Sequence, residues 1–296
     1  MADLDRNGLT SALSDVDILW TRLRHRIDSE MLSCAARLKI IVTPTTGLNH
    51  IDLQETARRK IRVLSLRGES EFLRDVRATA EHTVALILSL LRHVPQSSAH
   101  VLDGGWNRDL FWGRELYEKT VGIVGYGRLG RIVSRYLKVF DTRILVTDPL
   151  ASGDLLDPDV AMVPLRQLLQ ESDIVSLHVN FHDKTRRFFG REQFTSMKKG
   201  SWFINTSRGE LVDEDAILEA LRSEWLAGAA VDVLSNECSQ SMESHPLIAY
   251  ARQHNNLIIT PHVGGATLES MNKTECFLAD RLLTLIRVDN KYAAGT

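Results

Sequence analysis

The sequence has little cysteine and no excess of charge of either sign. Cys34, Cys238 and Cys276, three in 296 residues, are odd in number and widely spaced, which argues against a disulfide framework and fits a reducing compartment. Lys and Arg number 36 against 38 Asp and Glu. Proteins that grip phosphate backbones carry a basic excess, so nucleic acid is not an expected partner. Long hydrophobic runs are missing as well. The longest, at 84–91, is interrupted by Ser89 and falls far short of the roughly 20 residues of a membrane helix. The acidic opening Met1-Ala-Asp-Leu-Asp is not the basic-then-apolar plan of a signal peptide. The expectation is a soluble, cytoplasmic protein without a membrane partner. No Pro/Gly/Ser-rich linker, internal repeat or low-complexity tract divides the chain, whose length suits one large or two medium domains.

What is present is alternation. From Asp17 onward, short β-branched runs exchange with segments of helical period, the pattern of an α/β protein with parallel sheets. The first half reads as strands at 17–22, 38–43 and 61–66 with helices at 28–36 and 52–59. A long helix at 81–93 follows, carrying Val84, Ala85, Ile87, Leu88 and Leu91 as an apolar stripe that a neighbouring domain or a second subunit must cover. A fresh series of six strands follows at 121–125, 143–147, 173–179, 201–206, 228–233 and 256–260, enough for a doubly wound sheet. One more amphipathic helix, about 268–286, ends the chain.

Gly125-Tyr-Gly127-Arg-Leu-Gly130 has the Gly-x-Gly-x-x-Gly form, which alone is a common turn pattern. Its context is more specific. It follows the strand at 121–125 and opens a helix whose Leu129, Ile132, Val133, Tyr136, Leu137 and Phe140 share one face, and Asp148 ends the next strand 18 residues beyond Gly130. Gly125 permits the tight turn, Gly127 lets the backbone approach a pyrophosphate, and Gly130 allows helix and strand to pack closely. The helix N-terminus then offers its unpaired N–H groups to the anion. Asp148 suits the ribose hydroxyls and repels a 2′-phosphate. No Arg or Lys occurs at 149–153, so NAD is expected over its phosphorylated form.

Three polar residues sit just past strand ends, where parallel sheets bind ligands. Arg208 lies in Ile204-Asn-Thr-Ser-Arg-Gly, Glu237 follows Ala230-Val-Asp-Val, and His262 lies in Thr260-Pro-His-Val-Gly-Gly. Their spacings, 29 and 25 residues, are each about one strand–helix unit, so the three can converge on one sheet edge. Singly, each has an ordinary alternative: a surface arginine, a capping histidine, a solvent-facing glutamate. Together they supply a cation for a carboxylate and a base that works near neutrality. No metal is called for.

These stretches carry a family resemblance. Val121-Gly-Ile-Val-Gly-Tyr-Gly-Arg-Leu-Gly130, Ile174-Val-Ser-Leu-His-Val179, Ile204-Asn-Thr-Ser-Arg-Gly209, Leu226-Ala-Gly-Ala-Ala-Val-Asp-Val233 and Thr260-Pro-His-Val-Gly-Gly265, with Thr46-Gly-Leu-Asn-His-Ile-Asp52 and Ala80-Glu81, resemble the D-isomer-specific 2-hydroxyacid dehydrogenases. The likeness is nearest to the phosphoglycerate dehydrogenases within that family. It implies a Rossmann NAD-binding domain at 94–267 and a smaller, flavodoxin-like substrate domain formed by 1–93 and 268–296, with hinge closure about the two long helices. It further implies that Arg208 binds the substrate carboxylate, His262 is the acid/base, and Glu237 hydrogen-bonds it and favours the imidazolium form. Backbone near Gly47 would grip the carboxylate from the other domain. For NAD it implies Arg128 and Leu129 at the pyrophosphate, Thr206 near the nicotinamide, Asp232 toward the carboxamide, and Gly264 and Gly265 beside it. Cys238 stands where the family usually has Pro after the Glu, and Asn180 stands where Pro is usual after His178-Val179. Cys238 is expected to be inert, with sensitivity to thiol reagents as the alternative.

Arg22-Leu-Arg24 resembles the Arg-x-Arg of phosphoglycerate dehydrogenases, which suggests Arg22 and Arg24 as phosphate contacts and a 3-phosphoglycerate-like substrate. Glyoxylate or hydroxypyruvate reduction is the enzymatic alternative, and an NAD-sensing interaction protein is the non-enzymatic one. The family also implies a homodimer, with Gly105-Trp-Asn-Arg-Asp-Leu-Phe-Trp112 as an embracing arm. A flavodoxin-like sheet has the order 2-1-3-4-5, of which three strands are legible. The opening strand–helix–strand is therefore expected to be absent, through a late recorded start or a trimmed variant. The strand at 17–22 would then be an open edge whose inner faces lose their cover.

Overall fold

A computed structural model describes residues 4–150, 157, 159–237 and 242–293, with side chains through Arg287. The elements in chain order are α1 (Arg6–Ala12), β1 (Ile18–Trp20), α2 (Ser29–Ser33), β2 (Ile40–Thr43), α3 (Leu53–Arg58), β3 (Arg62–Ser65), α4 (Ser70–Leu73), α5 (Ala78–Leu91) and α6 (Val94–Leu102). There follow β4 (Thr120–Val124), α7 (Arg128–Lys138), β5 (Arg143–Thr147), β6 (Val160–Met162), α8 (Leu165–Glu171), β7 (Ile174–Leu177), α9 (Arg191–Ser196) and β8 (Ser201–Asn205). The last are α10 (Glu214–Arg222), β9 (Leu226–Val231), α11 (Pro246–Ala251), β10 (Leu257–Ile259) and α12 (Leu268–Ala293). No helix among the described residues is long and apolar enough to cross a membrane.

The chain divides into two compact units, one of Met1–Val76 and Thr267–Thr296, the other of Arg77–Glu237 and Ser241–Ala266. The first holds the parallel sheet β1-β2-β3. Asp28 and Asp52 cap its crossover helices, accepting from Met31 N at 3.0 Å and Glu55 N at 2.9 Å, which satisfies amide groups that a first helical turn leaves unpaired. One face of the sheet is covered by Leu13, Ile27, Met31 and Leu32, all buried. The other carries Val42, Leu66 and Leu73 against Leu278 of α12, with Phe72 stacked on Phe277 at 4.0 Å between centroids.

β1 is an edge strand, as expected, and exposes Ile18 and Trp20. The expected loss of cover does not hold at the Leu19 face. Helix α1, which the sequence pattern did not announce, brings Leu9 and Leu13 onto Leu19 and Ile41, and Leu13 is 1% exposed. Its sequence Arg6-Asn-Gly-Leu-Thr-Ser-Ala has one large apolar residue, Leu9, with Leu13 just past its end, too few to show a helical period.

The second unit holds seven parallel strands in the order β10-β9-β8-β7-β4-β5-β6. The chain starts at β4, runs outward through β5 and β6, then returns beside β4 at β7 and runs the other way. This reversal is a topological switch point, the place where such sheets bind ligands. The added seventh strand, β6, is three residues long at an edge, too short to show period. One layer packs Phe189, Phe194 and Phe203, with centroids 4.8 to 5.1 Å apart.

Helix α5 belongs to this second unit, not to the first as the expected 1–93 boundary implied. Its buried residues Leu86, Ile87, Leu90 and Leu91 join Val121, Ile123, Ile204 and Ala230 of the sheet. The stripe expected to need cover from a neighbouring domain or a second subunit is largely covered by this unit's own sheet: Ile87 and Leu91 are buried, Val84 and Leu88 are packed against this core, and of the five only Ala85 is exposed.

At the switch point His178 follows β7. Its N–H donates to Val124 O at 2.7 Å, and Nε2 lies 2.9 Å from Ser176 Oγ, while Nδ1 is buried without a hydrogen-bond partner among the described residues. Burial disfavours the imidazolium and lowers the pKa from 6.5 to about 4. Between these values the unfolded chain binds the extra proton, so stability rises with pH through the window and is lost as pH falls toward about 4. His178→Asn is expected to flatten this acid slope by about 2 kcal/mol relative to the parent, as read from denaturant melts at pH 7 and pH 4. Equal slopes would contradict the assignment.

Candidate active site

The glycine loop follows β4. Gly125 adopts φ +95°, and a Cβ there would lie 2.5 Å from His178 O, so the turn and the start of the neighbouring loop require glycine. Gly130 sits under the turn, where a Cβ would approach Gly125 O to 2.1 Å. Gly127 differs: a Cβ there meets nothing within 4 Å. It opens α7 with no capping side chain, whereas α10 is capped by Asp213. Open space beside uncapped N–H groups is what a pyrophosphate requires. Arg128 and Leu129 form the first turn of α7, and burial lowers the Arg128 pKa, so an anion nearby would stabilise its charge.

Asp148 closes the loop from the end of β5. One carboxylate oxygen accepts from Tyr126 N and the other from Leu150 N, each at 2.8 Å. Further lone pairs on each oxygen remain for the hydroxyls of a ribose. The cation-free stretch at 149–153 lies largely outside the described residues.

The other strand ends carry the remaining groups. After β8, Thr206 is buried with its Oγ1 2.8 Å from Thr83 Oγ1 of α5. Asn205 braces the same turn, Nδ2 donating to Arg208 O at 2.9 Å and Oδ1 accepting from Ser207 N at 3.0 Å. Arg208 is half-buried, and its Nη1 donates to Ser207 O at 2.6 Å. At Gly209 a Cβ would lie 2.0 Å from Leu234 C. That close approach sets the Arg208 turn directly on the loop leading to Glu237.

Glu237 and His262 meet as the spacing requires: Oε1 and Nδ1 are hydrogen-bonded, and both side chains keep about a fifth to a quarter of their surface exposed. Nδ1 is thereby engaged, which leaves Nε2 as the other nitrogen of the ring. The Glu237 loop has support that sequence reasoning missed. Glu214 Oε1 accepts from Ser235 N at 2.7 Å, while its Oε2 lies 3.3 Å from Nε2 of the buried His245. Burial raises the Glu214 pKa, and the Ser235 N–H and His245 work against that rise.

Asp232, just past β9, is 1% exposed. Burial opposes its ionisation, but donors from His82, Thr260, Gly264 and Val263 outweigh it and hold the carboxyl below the usual range. Oδ2 accepts from Gly264 N at 2.8 Å. Gly265 follows, with open space where its Cβ would be.

Arg22, Arg24 and Gly47 belong to the first unit. Gly47 O accepts from Thr45 Oγ1 at 2.8 Å, which shapes that loop. Arg22 donates through Nε to Glu275 Oε1 of α12 at 2.8 Å and through Nη2 to the same oxygen. Arg24 is exposed in the turn after β1. Cys238 lies outside the described residues.

The family model described as "D-isomer specific 2-hydroxyacid dehydrogenase, NAD binding domain" matches residues 84–264. A glyoxylate reductase of Thermofilum pendens is 34% identical over 288 residues, covering 95% of this chain and 82% of its own. A D-3-phosphoglycerate dehydrogenase of Methanocaldococcus jannaschii is 32% identical over 286 residues, 96% of this chain but 52% of its own. The crystal structure of D-lactate dehydrogenase from Aquifex aeolicus complexed with NAD and lactic acid superposes with a TM-score of 0.82 at 27% identity, covering 100% of this chain and 89% of that one.

The two glycines separate binding from folding. Gly127→Ala is expected to weaken NADH binding at least about tenfold while stability stays within about 0.5 kcal/mol. Gly130→Ala is expected to lower stability as well, by about 1–3 kcal/mol. Fluorescence titration with NADH and thermal melts would check both, and unchanged NADH affinity in Gly127→Ala would contradict the cradle. Motif, sheet order and these matches agree: the chain belongs to the D-isomer specific 2-hydroxyacid dehydrogenases and binds NAD.

Proposed function

We propose that this chain reduces a small, unphosphorylated 2-keto acid of the glyoxylate or hydroxypyruvate class to its D-2-hydroxy acid. The observation that carries the choice is the Arg22–Glu275 ion pair. The arginine that a substrate phosphate would need is already committed to a carboxylate, so a phosphate would have to displace it and would meet its negative charge. Glyoxylate reductases among the relatives support the same class. A 3-phosphoglycerate-like substrate is the second reading, favoured by exposed Arg24 beside Arg22 and by the phosphoglycerate dehydrogenase relatives.

When bound, NAD supplies the hydride acceptor or donor at C2. Arg208 holds the substrate carboxylate and orients the carbonyl, so that positioning and fixed charge supply most of the acceleration. Gly47 is assigned to the same carboxylate through its backbone. His262 gives the carbonyl oxygen its proton from Nε2 in reduction and takes it back in oxidation. Glu237 on Nδ1 fixes the ring's orientation and stabilises the charged form. Arg128, Leu129, Asp148, Thr206, Asp232 and the glycines at 125, 127, 130, 264 and 265 are assigned to the cofactor.

A homodimer is part of this proposal. Val94, Val101 and Leu102 of α6, with Trp106, Leu110 and Trp112 of the following segment, are exposed apolar side chains in one stretch of chain, more than a lone monomer usually shows. A reducing cytoplasm is the setting proposed, and the described cysteines, Cys34 and Cys276, are free thiols.

NADH oxidation at 340 nm with glyoxylate, hydroxypyruvate, pyruvate and phosphohydroxypyruvate tests the substrate class. Glyoxylate or hydroxypyruvate is expected to exceed the phosphorylated acid in kcat/KM by about tenfold or more, and the reverse order would establish the second reading instead. His262→Asn is expected to lower kcat about 10²–10⁴-fold and Arg208→Ala about 10²–10³-fold. Near-full turnover in either would refute the assigned roles. A monomeric mass by sedimentation would refute the dimer.

A further inference from the structure

Three consecutive backbone N–H groups converge on one buried residue. His262 N donates to Asp232 O at 2.8 Å, Val263 N to Asp232 Oδ1 at 2.9 Å, and Gly264 N to Asp232 Oδ2 at 2.8 Å. The turn that carries the His262 imidazole is wrapped around Asp232. That wrapping has a cost to meet, because His262 adopts φ +54°, a left-handed conformation that a residue with a Cβ rarely takes.

Asp232 is itself gripped from a third element. His82, in the second turn of α5, places Nε2 3.2 Å from Asp232 Oδ1 and 3.0 Å from Thr260 Oγ1. The protons can be assigned. Thr260 Oγ1 lies 2.6 Å from Asp232 Oδ1 and donates its one hydrogen there. It therefore has none for His82, and Nε2 faces a carboxylate oxygen and a hydroxyl lone pair. Only an N–H at Nε2 is compatible with both. The next residue, Thr83, makes the parallel contact with Thr206 past β8. Two adjacent side chains of α5 thus hold the residues just past β8, β9 and β10.

We propose that His82 is a positioning residue for the reaction. By donating from Nε2 to Asp232 and Thr260, it fixes the carboxylate around which the His262 turn is folded, and so fixes where His262 Nε2 is presented. His82 does not touch the reacting atoms in this account; it acts through Asp232. The proposal rests on the reading of His262 as the acid/base.

The test compares His82→Leu, which removes the donor, with His82→Gln, whose amide can donate from nearly the same place. Two measurements are made on the full chain: steady-state kinetics with NADH and the best 2-keto acid, and amide hydrogen exchange without ligands. In His82→Leu, kcat is expected to fall about tenfold or more, with the KM for the keto acid changed less than about twofold because Arg208 is untouched. Exchange at 260–266 is expected to quicken about tenfold while β4 and β7 stay protected. His82→Gln is expected to restore most of both. Parent-like kcat and exchange in His82→Leu, or equal defects in Leu and Gln, would overturn the proposal. If His82→Leu does not fold, His82→Asn replaces it, an amide one bond too short to reach. Slow Asn with fast Gln supports the role, and equal behaviour refutes it. If the parent turns over no keto acid, the functional reading fails by itself, and the exchange comparison still decides whether His82 holds the turn.

Discussion

All seven strands of the second unit run parallel, and that single constraint decides where chemistry can occur. Parallel strands place their carboxyl ends on one edge, where the chain leaves the ladder: Gly125, His178, Asp232 and Thr260 each still donate one N–H to a neighbouring strand, and the chain turns away beyond it. Gly125, Asp148, His178, Thr206, Asp232 and Thr260 are each the residue next to the end of a strand: β4, β5, β7, β8, β9 and β10. Every group assigned to cofactor or proton transfer in this unit lies at or within a few positions of such a boundary. Rigid strands hold their bases, and short loops let them face a ligand. The reversal between β4 and β7 opens the crevice, and Gly125 against His178 O sets how tightly its floor closes.

Charge is handled differently at the two ends of that edge. At the glycine loop, partial positive charge comes from backbone N–H groups left uncapped at Gly127, with half-buried Arg128 beside them. At β9 and β10 a full negative charge is buried on Asp232 and answered wholly by donors: the side chains of His82 and Thr260 and the amides of Val263 and Gly264. An unpaired buried carboxylate would cost several kcal/mol. Surrounded in this way it becomes the organiser of the turn. The Glu237 loop repeats the device at smaller scale, with Glu214 accepting from Ser235 N beside His245.

Sequence made the local relations plain and left the distant ones hidden. The glycine motif, its strand and its helix were readable because Ile132, Val133 and Leu137 recur at helical spacing and all three are buried. Glu237 and His262 were readable as partners because strand–helix units have a nearly constant length, so a spacing of one unit puts successive loops on one edge. The support residues leave no such trace. His82 reaches Thr260 across 178 positions and Arg22 reaches Glu275 across 253, distances over which no period operates. A histidine among the apolar residues of α5 was the one available signal, and it reads equally as a solvated helix position. The apolar stripe of α5 misled in the same way: periodicity reports that a face is buried, and only the fold reports against what.

The conformation at His262 shows why such support is needed. Glycine would adopt φ near +54° without penalty, yet the position must carry an imidazole, so the usual relief is barred. A left-handed residue with a Cβ costs about 1–3 kcal/mol. Without opposition the turn would relax, and the ring would swing away from Glu237. The amides of His262, Val263 and Gly264 oppose that relaxation by converging on Asp232, since each donor would lose a buried acceptor if the turn opened. Asn236, beside Glu237, is likewise left-handed at φ +57°, and there the neighbouring Ser235 amide is tied to Glu214. His262 and the residue before Glu237 thus both stand on left-handed backbone, the first tied to the buried Asp232 and the second next to an amide held by the half-buried Glu214. Orientation of the pair is set by hydrogen bonds made behind it, and Glu237 engages His262 through Nδ1, which is the arrangement the proposed acid/base role of Nε2 requires.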